Sequence, residues 1–272
     1  GDSDYSTLLL VAATDPPATS ASITHNLALS SQTSISVSWS AVADGTSPGG
    51  TLTGYILTVE ECATGESWEA FNGVELSMPT LTTYTLLGLN PASEYKFSVT
   101  AYNYNGAGTT SSIYSFYSCI LPSGFGSPYR TDSTTLTMTV GWDEPTSDGG
   151  CPITGYAVFR DDGAGGTITT EANAVGDTNI RDKPYLFQAT VTNYAASPTG
   201  LTFYYQIQAF SVIGSVLSDS AAYILAQIPS DPSTGPIEDT AVTSNTEIKV
   251  DLTTLTLDAD TGGAPIESYN LQ

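Results

Sequence analysis

The residue types that carry most protein chemistry are scarce in these 272 residues: one histidine, three cysteines and six basic side chains, against 28 acidic ones. His25 alone cannot complete a Ser-His-Asp or Cys-His set, and no GxSxG, HExxH or P-loop spacing occurs. It reads as a surface or strand-edge histidine. The adjacent carboxylates Glu60 and Glu61, Asp161 and Asp162, and Glu238 and Asp239 have the chemistry of a glycosidase acid and base. Neighbours on a strand point to opposite faces, however, so these pairs read as solvated surface. The sequence predicts no catalytic residue, no cofactor and no enzyme.

Composition excludes further classes. The formal net charge is −22, and no Lys or Arg precedes Lys96, so there is no basic footprint for nucleic acid or anionic lipid. No uninterrupted apolar run exceeds six residues, against about 20 for a membrane helix, so no membrane insertion is expected in this segment. A signal peptide's basic flank is missing as well, and the chain is expected to be soluble and already processed or excised. Only 12% of residues are charged, while Ser and Thr make up about a quarter, so hydroxyls must cover much of the surface. With 40% hydrophobic residues the chain still has enough apolar material to fold.

The elements that position these residues are strands. Ile35, Val37 and Trp39 alternate with Ser36 and Ser38, and Phe97, Val99 and Ala101 alternate with Ser98 and Thr100. Period-two alternation broken by Gly, Pro, Asn and Asp reads as half-buried antiparallel strands, and no stretch of a dozen residues keeps a helical period. One pattern is written three times: TSISVSW to LTGY over residues 33–55, TLTMTVGW to CPITGY over 135–156, and TEIKVDL to APIESY over 246–269, each with a GG before the last phrase. The spacing of Trp39 and Trp142, about 100 residues, is the size of one β-sandwich module.

The expected architecture is therefore all-β, with tandem immunoglobulin-like sandwiches: residues 1–15 as the last strand of a preceding module, complete modules over 16–121 and 122–229, and the first strands of an incomplete third module over 230–272. The third module is expected to stop a few residues into the strand after its GG. Partial sandwiches cannot bury both inner faces, so a longer natural polypeptide is expected. The linkers DPPATS, LPSGFGSP and IPSDPSTGP carry prolines, which shorten the list of linker conformations and predict a semi-rigid array.

Trp39 on the second strand, Tyr55 on the third, Leu87 on the fifth, and the run from Leu89 through Pro91, Tyr95, Phe97, Val99 and Ala101 to Asn103 and Gly106 together resemble a fibronectin type III domain. The resemblance implies a core Trp between two sheets and a tyrosine corner, in which the Tyr95 hydroxyl bonds backbone near Leu89. The second module matches on Trp142, Tyr156, Ile207, Ala209 and Gly214. Its corner position holds Phe203, so either Tyr204 or Tyr205 shifts register or the corner is missing. The third has Leu252 where Trp is expected.

That topology also places the cysteines and acids. Cys119 falls at the end of the last strand of the first module and Cys151 in the second module's loop facing it, so a Cys119–Cys151 disulfide is expected. The matching positions one module on are Ala226 and Ala264, and both cysteines are absent there together. Two buried free thiols, or a bridge using Cys62, are the alternatives; Cys62 would otherwise be left free or cross-link another chain. Asp143, Glu144 and Asp148 in the same loop, with Asp258 and Asp260 in the next copy and Asp44 in the first, are weak calcium candidates without a DxDxDG pattern.

The resemblance implies a spacer or binding surface without catalysis of its own, and no Arg-Gly-Asp tripeptide lies in the loops 103–110 or 211–218. The leading reading is a non-enzymatic structural or adhesive segment of an extracellular or cell-surface fibre or stalk, with neighbouring modules of the same or identical chains as partners. Alternatives are a receptor or adhesin module holding a protein or glycan through loops or Tyr102 and Tyr104, and a spacer in a secreted carbohydrate-active enzyme. Strand addition by residues 6–13 to a neighbour ranks lower. None of the ten asparagines begins an N-glycosylation sequon, and O-linked sugar on Ser and Thr is left open.

Overall fold

A strand buries one side only when its apolar residues fall on every second position. In Glu94–Asn103 they do: Tyr95, Phe97, Val99, Ala101 and Asn103 are buried and the residues between them are half-exposed. The structure is a computed structural model and describes residues 15–17, 21–42, 50–172, 180–192, 194 and 198–271, which are almost entirely β, turn and loop. They fall into two compact units. The first runs to Leu121 and takes in Ser147–Pro152 and Val212–Gly214; the second holds the remainder.

The first unit is a sandwich of β1 (Ile23–His25), β2 (Ser34–Trp39), β3 (Leu52–Glu61), β4 (Glu66–Asn72), β5 (Thr83–Leu87), β6 (Glu94–Asn103), β7 (Gly106–Ala107) and β8 (Tyr114–Tyr117). One sheet has the order β1-β2-β5 and the other β4-β3-β6-β7, with β8 also paired to β6. Ile35, Val37 and Trp39 face Tyr55, Leu57, Val59, Phe97 and Val99 across a single core. Trp39 packs on the Tyr55 and Phe71 rings at 5.9 and 6.2 Å, edge-on and tilted geometries that suit aromatic quadrupoles.

Ser34 and Ser36 are buried against the alternation of their strand, and Leu87 is exposed in keeping with that of β5. Ser36, expected at the solvent face, is buried because the turn Leu27–Leu29 and Ser30 fold over it; its N–H donates to Ser30 Oγ and its hydroxyl accepts from Thr85. Leu87 is 73% exposed, and Leu86 and Leu89 fill the core instead. A one-residue step along a strand exchanges its faces.

The second unit repeats the plan with β9 (Tyr129–Ser133), β10 (Met138–Gly141), β11 (Gly155–Arg160), β12 (Thr170–Ala172), β13 (Gln188–Val191), β14 (Thr202–Ser211), β15 (Gly214–Leu217) and β16 (Ala221–Ile224). Its sheets run β9-β10-β13 and β12-β11-β14-β15, with β16 paired to β14. The register is the same as well: Tyr55 lies opposite Ala101, and Tyr156 opposite Ala209. Trp142 and Tyr156, 5.4 Å apart, anchor a core with Met138, Val140, Ile207 and Leu225.

The third copy builds no core. Residues 230–271 hold β17 (Ile237–Glu238), β18 (Val250–Asp251) and the single turn α1 (Asp258–Thr261), and no apolar side chain beyond Ala226 is buried among the described residues. Leu252, at the tryptophan position, is 41% exposed. The strand expected after the third GG does not form over 264–271. Its counterparts β3 and β11 are each held between two neighbours, and 230–271 supplies neither. The strand expected over 1–15, and the apolar run within it, lie outside the described residues apart from Asp15.

Trp142→Ala is expected to cost the second unit about 3–5 kcal/mol, seen as a shift of its urea transition. Leu252→Ala is expected to move neither unit by more than about 0.5 kcal/mol. Equal effects would contradict the difference between a filled and an unfilled core.

Candidate functional site

Cys119 lies two residues beyond β8, and its N–H still donates to the Tyr117 carbonyl at 3.0 Å. Next to it Ile120 N–H donates to the Gly149 carbonyl at 2.9 Å, which brings the turn carrying Cys151 alongside. The two cysteines are bridged, with S–S 2.03 Å, Cα–Cα 5.8 Å and a separation of 32 residues. Both are sealed from solvent, at 0% and 1% exposure. Both belong to the first unit, because Ser147–Pro152 is part of it. Cys62, the free cysteine among the described residues, is half-buried just past β3; burial, then the neighbouring Glu94, pushes its thiol pKa up and suppresses the reactive thiolate.

The residue before Cys119 ties this strand end to the β5–β6 corner. Ser118 is fully buried; its hydroxyl donates to the Asn90 carbonyl and accepts from Ser93 N–H, and its backbone pairs with Ala92 and Ser93. At the corner itself, Tyr95 accepts from Asn90 N–H at 3.1 Å and donates to Glu61 Oε1 at 3.1 Å. Asn90 Nδ2 and Thr64 Oγ1 also donate to the Glu61 carboxylate, at 2.9 and 3.1 Å. Glu61 thus stays at the surface, as expected, but with its carboxylate held by three donors, while Glu60 pairs with Lys96 at 2.8 Å. The Asn90, Thr64 and Tyr95 donors hold the Glu61 carboxyl below the usual carboxylate range against the opposing effect of desolvation. Sequence reasoning missed Glu61 and Ser118, since their partners are set by the corner and not by spacing along the chain.

The second unit solves the same corner differently. Phe203 is buried opposite Tyr223, just as Tyr95 sits opposite Phe116, so no register shift has occurred and the corner hydroxyl is absent. The polar contacts move one layer inward. Tyr205 and Tyr194 share a hydroxyl–hydroxyl bond at 2.6 Å, and the buried Arg160 guanidinium lies 5.0 Å from the Tyr194 centroid and 5.5 Å from that of Phe203. Arg160 donates to the Asp161 carbonyl at 2.6 Å, and Asp161 Oδ1 accepts from Tyr204 N–H at 2.9 Å. Asp161 is thus fully buried, not surface, whereas Asp162 is exposed and Asp239 pairs with Lys249 at 2.7 Å. The signal for Arg160 was present: in Gly155–Arg160 it falls on the inward period of Tyr156 and Val158.

Asp143, Glu144 and Asp148 are all exposed, and Asp148 Oδ1 is occupied by Gly150 N–H at 2.8 Å. No group of three His, Cys, Asp or Glu suited to a metal occurs among the described residues. Asp258 and Asp260 sit at the turn α1, and Asp44 is outside the described residues. His25, half-buried at the end of edge strand β1, has Nε2 3.0 Å from Ser30 Oγ and its ring 5.0 Å from Phe116; burial lowers its pKa. Tyr104 is 68% exposed and Tyr102 half-exposed.

A sandwich with this strand order, a core Trp and a tyrosine hydroxyl bonded across the corner coincides with a match of residues 22–117 to the fibronectin type III domain. The first sandwich is a fibronectin type III domain. Over 117 residues, 41% of its length, the chain is 32% identical to the mouse protein named fibronectin type-III domain-containing protein 3A and 30% identical to the human one; each alignment covers 9% of that protein. The chain thus spans about a tenth of the length of these relatives. Among solved structures, the FN1–FN3 domains of chicken CNTN1 align over 77% of this chain and 68% of that one, at 15% identity and a TM-score of 0.42. The second sandwich lies outside the matched residues and repeats the fibronectin type III strand order pairing for pairing.

Two pH responses follow from these environments. Glu61 has a depressed pKa in the fold, so its contribution to the fibronectin type III domain is complete above the ordinary carboxylate pKa and is lost as pH falls through the folded value. Glu61→Gln is expected to flatten the acid limb of the first unit's stability profile; an unchanged limb would contradict this. Burial pushes Tyr156 and Tyr194 up to about 12 from about 10, so their contribution is complete below pH about 10 and is lost as pH rises toward about 12. Alkaline unfolding of the second unit, followed by tyrosinate absorbance, is expected in that window. Tyr156→Phe should ease it without cost at neutral pH, because the Tyr156 hydroxyl has no hydrogen-bond partner among the described residues.

Proposed function

We propose that this chain is a non-enzymatic, load-bearing or adhesive segment of an extracellular or cell-surface fibre or stalk. Its partners are neighbouring modules of the same or identical chains. The observation that carries the reading is the buried Cys119–Cys151 bridge between a strand end and a turn 32 residues further on, in a chain of tandem sandwiches. A bridge sealed from solvent belongs to an oxidising compartment and resists reduction there. Antiparallel sandwiches joined through their last strands carry force in series, and the bridge limits how far the chain can lengthen once a strand detaches. The charge of −22 supports the same reading, since like-charged arrays repel each other and stay dispersed.

Single-molecule pulling from both ends tests this. With the bridge intact, the chain between the cysteines, which are 32 positions apart, cannot extend; on reduction the released contour is expected to grow by about 110 Å, at 3.3–3.6 Å per residue. Two separate unfolding steps are expected in either state. A single step, or an extension unchanged by reduction, would contradict a modular chain with a covalent stop.

A further inference from the structure

Among the described residues, two turns carry consecutive glycines in the left-handed region, Gly149 and Gly150 with φ 74° and 92°, and Gly262 and Gly263 with φ 72° and 90°. Each receives a backbone bond from a segment leaving a last strand. In the first unit Ile120 N–H donates to the Gly149 carbonyl at 2.9 Å; in the second Gln227 N–H donates to the Gly262 carbonyl at 3.0 Å. A Cβ on Gly149 would collide with the Ile120 carbonyl oxygen, and one on Gly262 with the Gln227 carbonyl oxygen. Glycine serves here by letting one backbone lie directly against another.

The seated segments share a pattern and a register. Cys119-Ile120-Leu121-Pro122 and Ala226-Gln227-Ile228-Pro229 each begin two residues after the end of the last strand, β8 or β16. Each has a small buried residue before the bonded N–H and closes on a proline, which has no N–H to continue the pairing. Cys151 lies two residues past Gly149, and Ala264 two past Gly262. Ala226 and Ala264, at the positions that match Cys119 and Cys151, line one cavity with Gln227 and Pro229. Ser230 N–H adds a bond to the Asp260 carbonyl at 2.9 Å.

We infer that the GG turn is a docking site for an extended chain end leaving the last strand of a sandwich, recognised through its backbone and a small side chain, and that Cys119–Cys151 is a covalent lock on one of two otherwise equivalent docks. The dock is made of hydrogen bonds and close packing, so it exists without the lock. This inference does not depend on the load-bearing reading: it concerns which backbone groups meet, and pulling experiments can fail without touching it.

The test uses the full chain with Cys62→Ser to remove the free thiol. Ala226→Cys with Ala264→Cys is expected to form a second bridge under the conditions that form Cys119–Cys151, identified by mass mapping of unreduced peptides. Persistent free thiols at 226 and 264, with the β14 amides still protected from exchange, would overturn the equivalence. Hydrogen exchange gives the second arm. Gly262→Ala is expected to speed exchange at the Gln227 amide at least about tenfold while β14 is unchanged. Reduction of Cys119–Cys151 is expected to leave the Ile120 amide protected within about twofold; loss of that protection would make the bridge the cause of the dock and overturn the inference.

Discussion

The pairing of β3 with β6, and of β11 with β14, sets everything else in the two sandwiches. These are the long central strands, and their antiparallel register puts Tyr55 opposite Ala101 and Tyr156 opposite Ala209. Once that register holds, side-chain alternation sends Leu57, Val59, Phe97 and Val99 inward in the first unit, and Trp39 from the facing sheet closes over them. A slip by one residue would turn the whole apolar row to solvent, so the cost of leaving this register is the cost of the core itself. The corner, the strand end and the disulfide are consequences placed at the rim of that pairing.

The two units show how one frame accommodates different polar solutions. In the first, a hydroxyl at the corner is held by Asn90 and Glu61. In the second, Phe203 gives up the hydroxyl, and an arginine lying over the Tyr194 and Phe203 rings, with Tyr194 bonded to Tyr205, fills the same end of the core. A buried guanidinium is tolerable because it stacks on rings and donates to a carbonyl, where an isolated charge would not be. The consequence is a second unit whose buried phenols make it sensitive to alkali and a first unit whose corner carboxylate makes it sensitive to acid.

Much of this was legible in the residues. Alternation over Ser34–Trp39 and Glu94–Asn103, the recurring Trp and Tyr, and the repeated GG phrases point directly to tandem sandwiches, because they depend on local period and on spacing. The pairing of Cys119 with Cys151 is readable through the matching Ala226 and Ala264. What could not be read depends on contacts across sequence. Glu61 looks like one of a pair of surface acids until the corner brings Asn90 to it, and Ser36 looks solvent-facing until the turn Leu27–Leu29 covers it. Leu87 ends the fifth strand as its place in the pattern suggests, but its side chain faces solvent while Leu86 beside it is buried. The third copy carries the same pattern as the other two without their structure, since 230–271 supplies no facing sheet against which its strands could bury a side.

The bridge between Cys119 and Cys151 is the point on which the functional reading turns, and proteolytic mapping of the natural, unreduced chain by mass spectrometry tests it most directly. The expected result is a single linked peptide pair containing Cys119 and Cys151, with Cys62 recovered as a free thiol. A linkage that includes Cys62, or three free thiols in protein taken from its native compartment, would contradict the covalent closure of the strand end and the load-bearing role built on it.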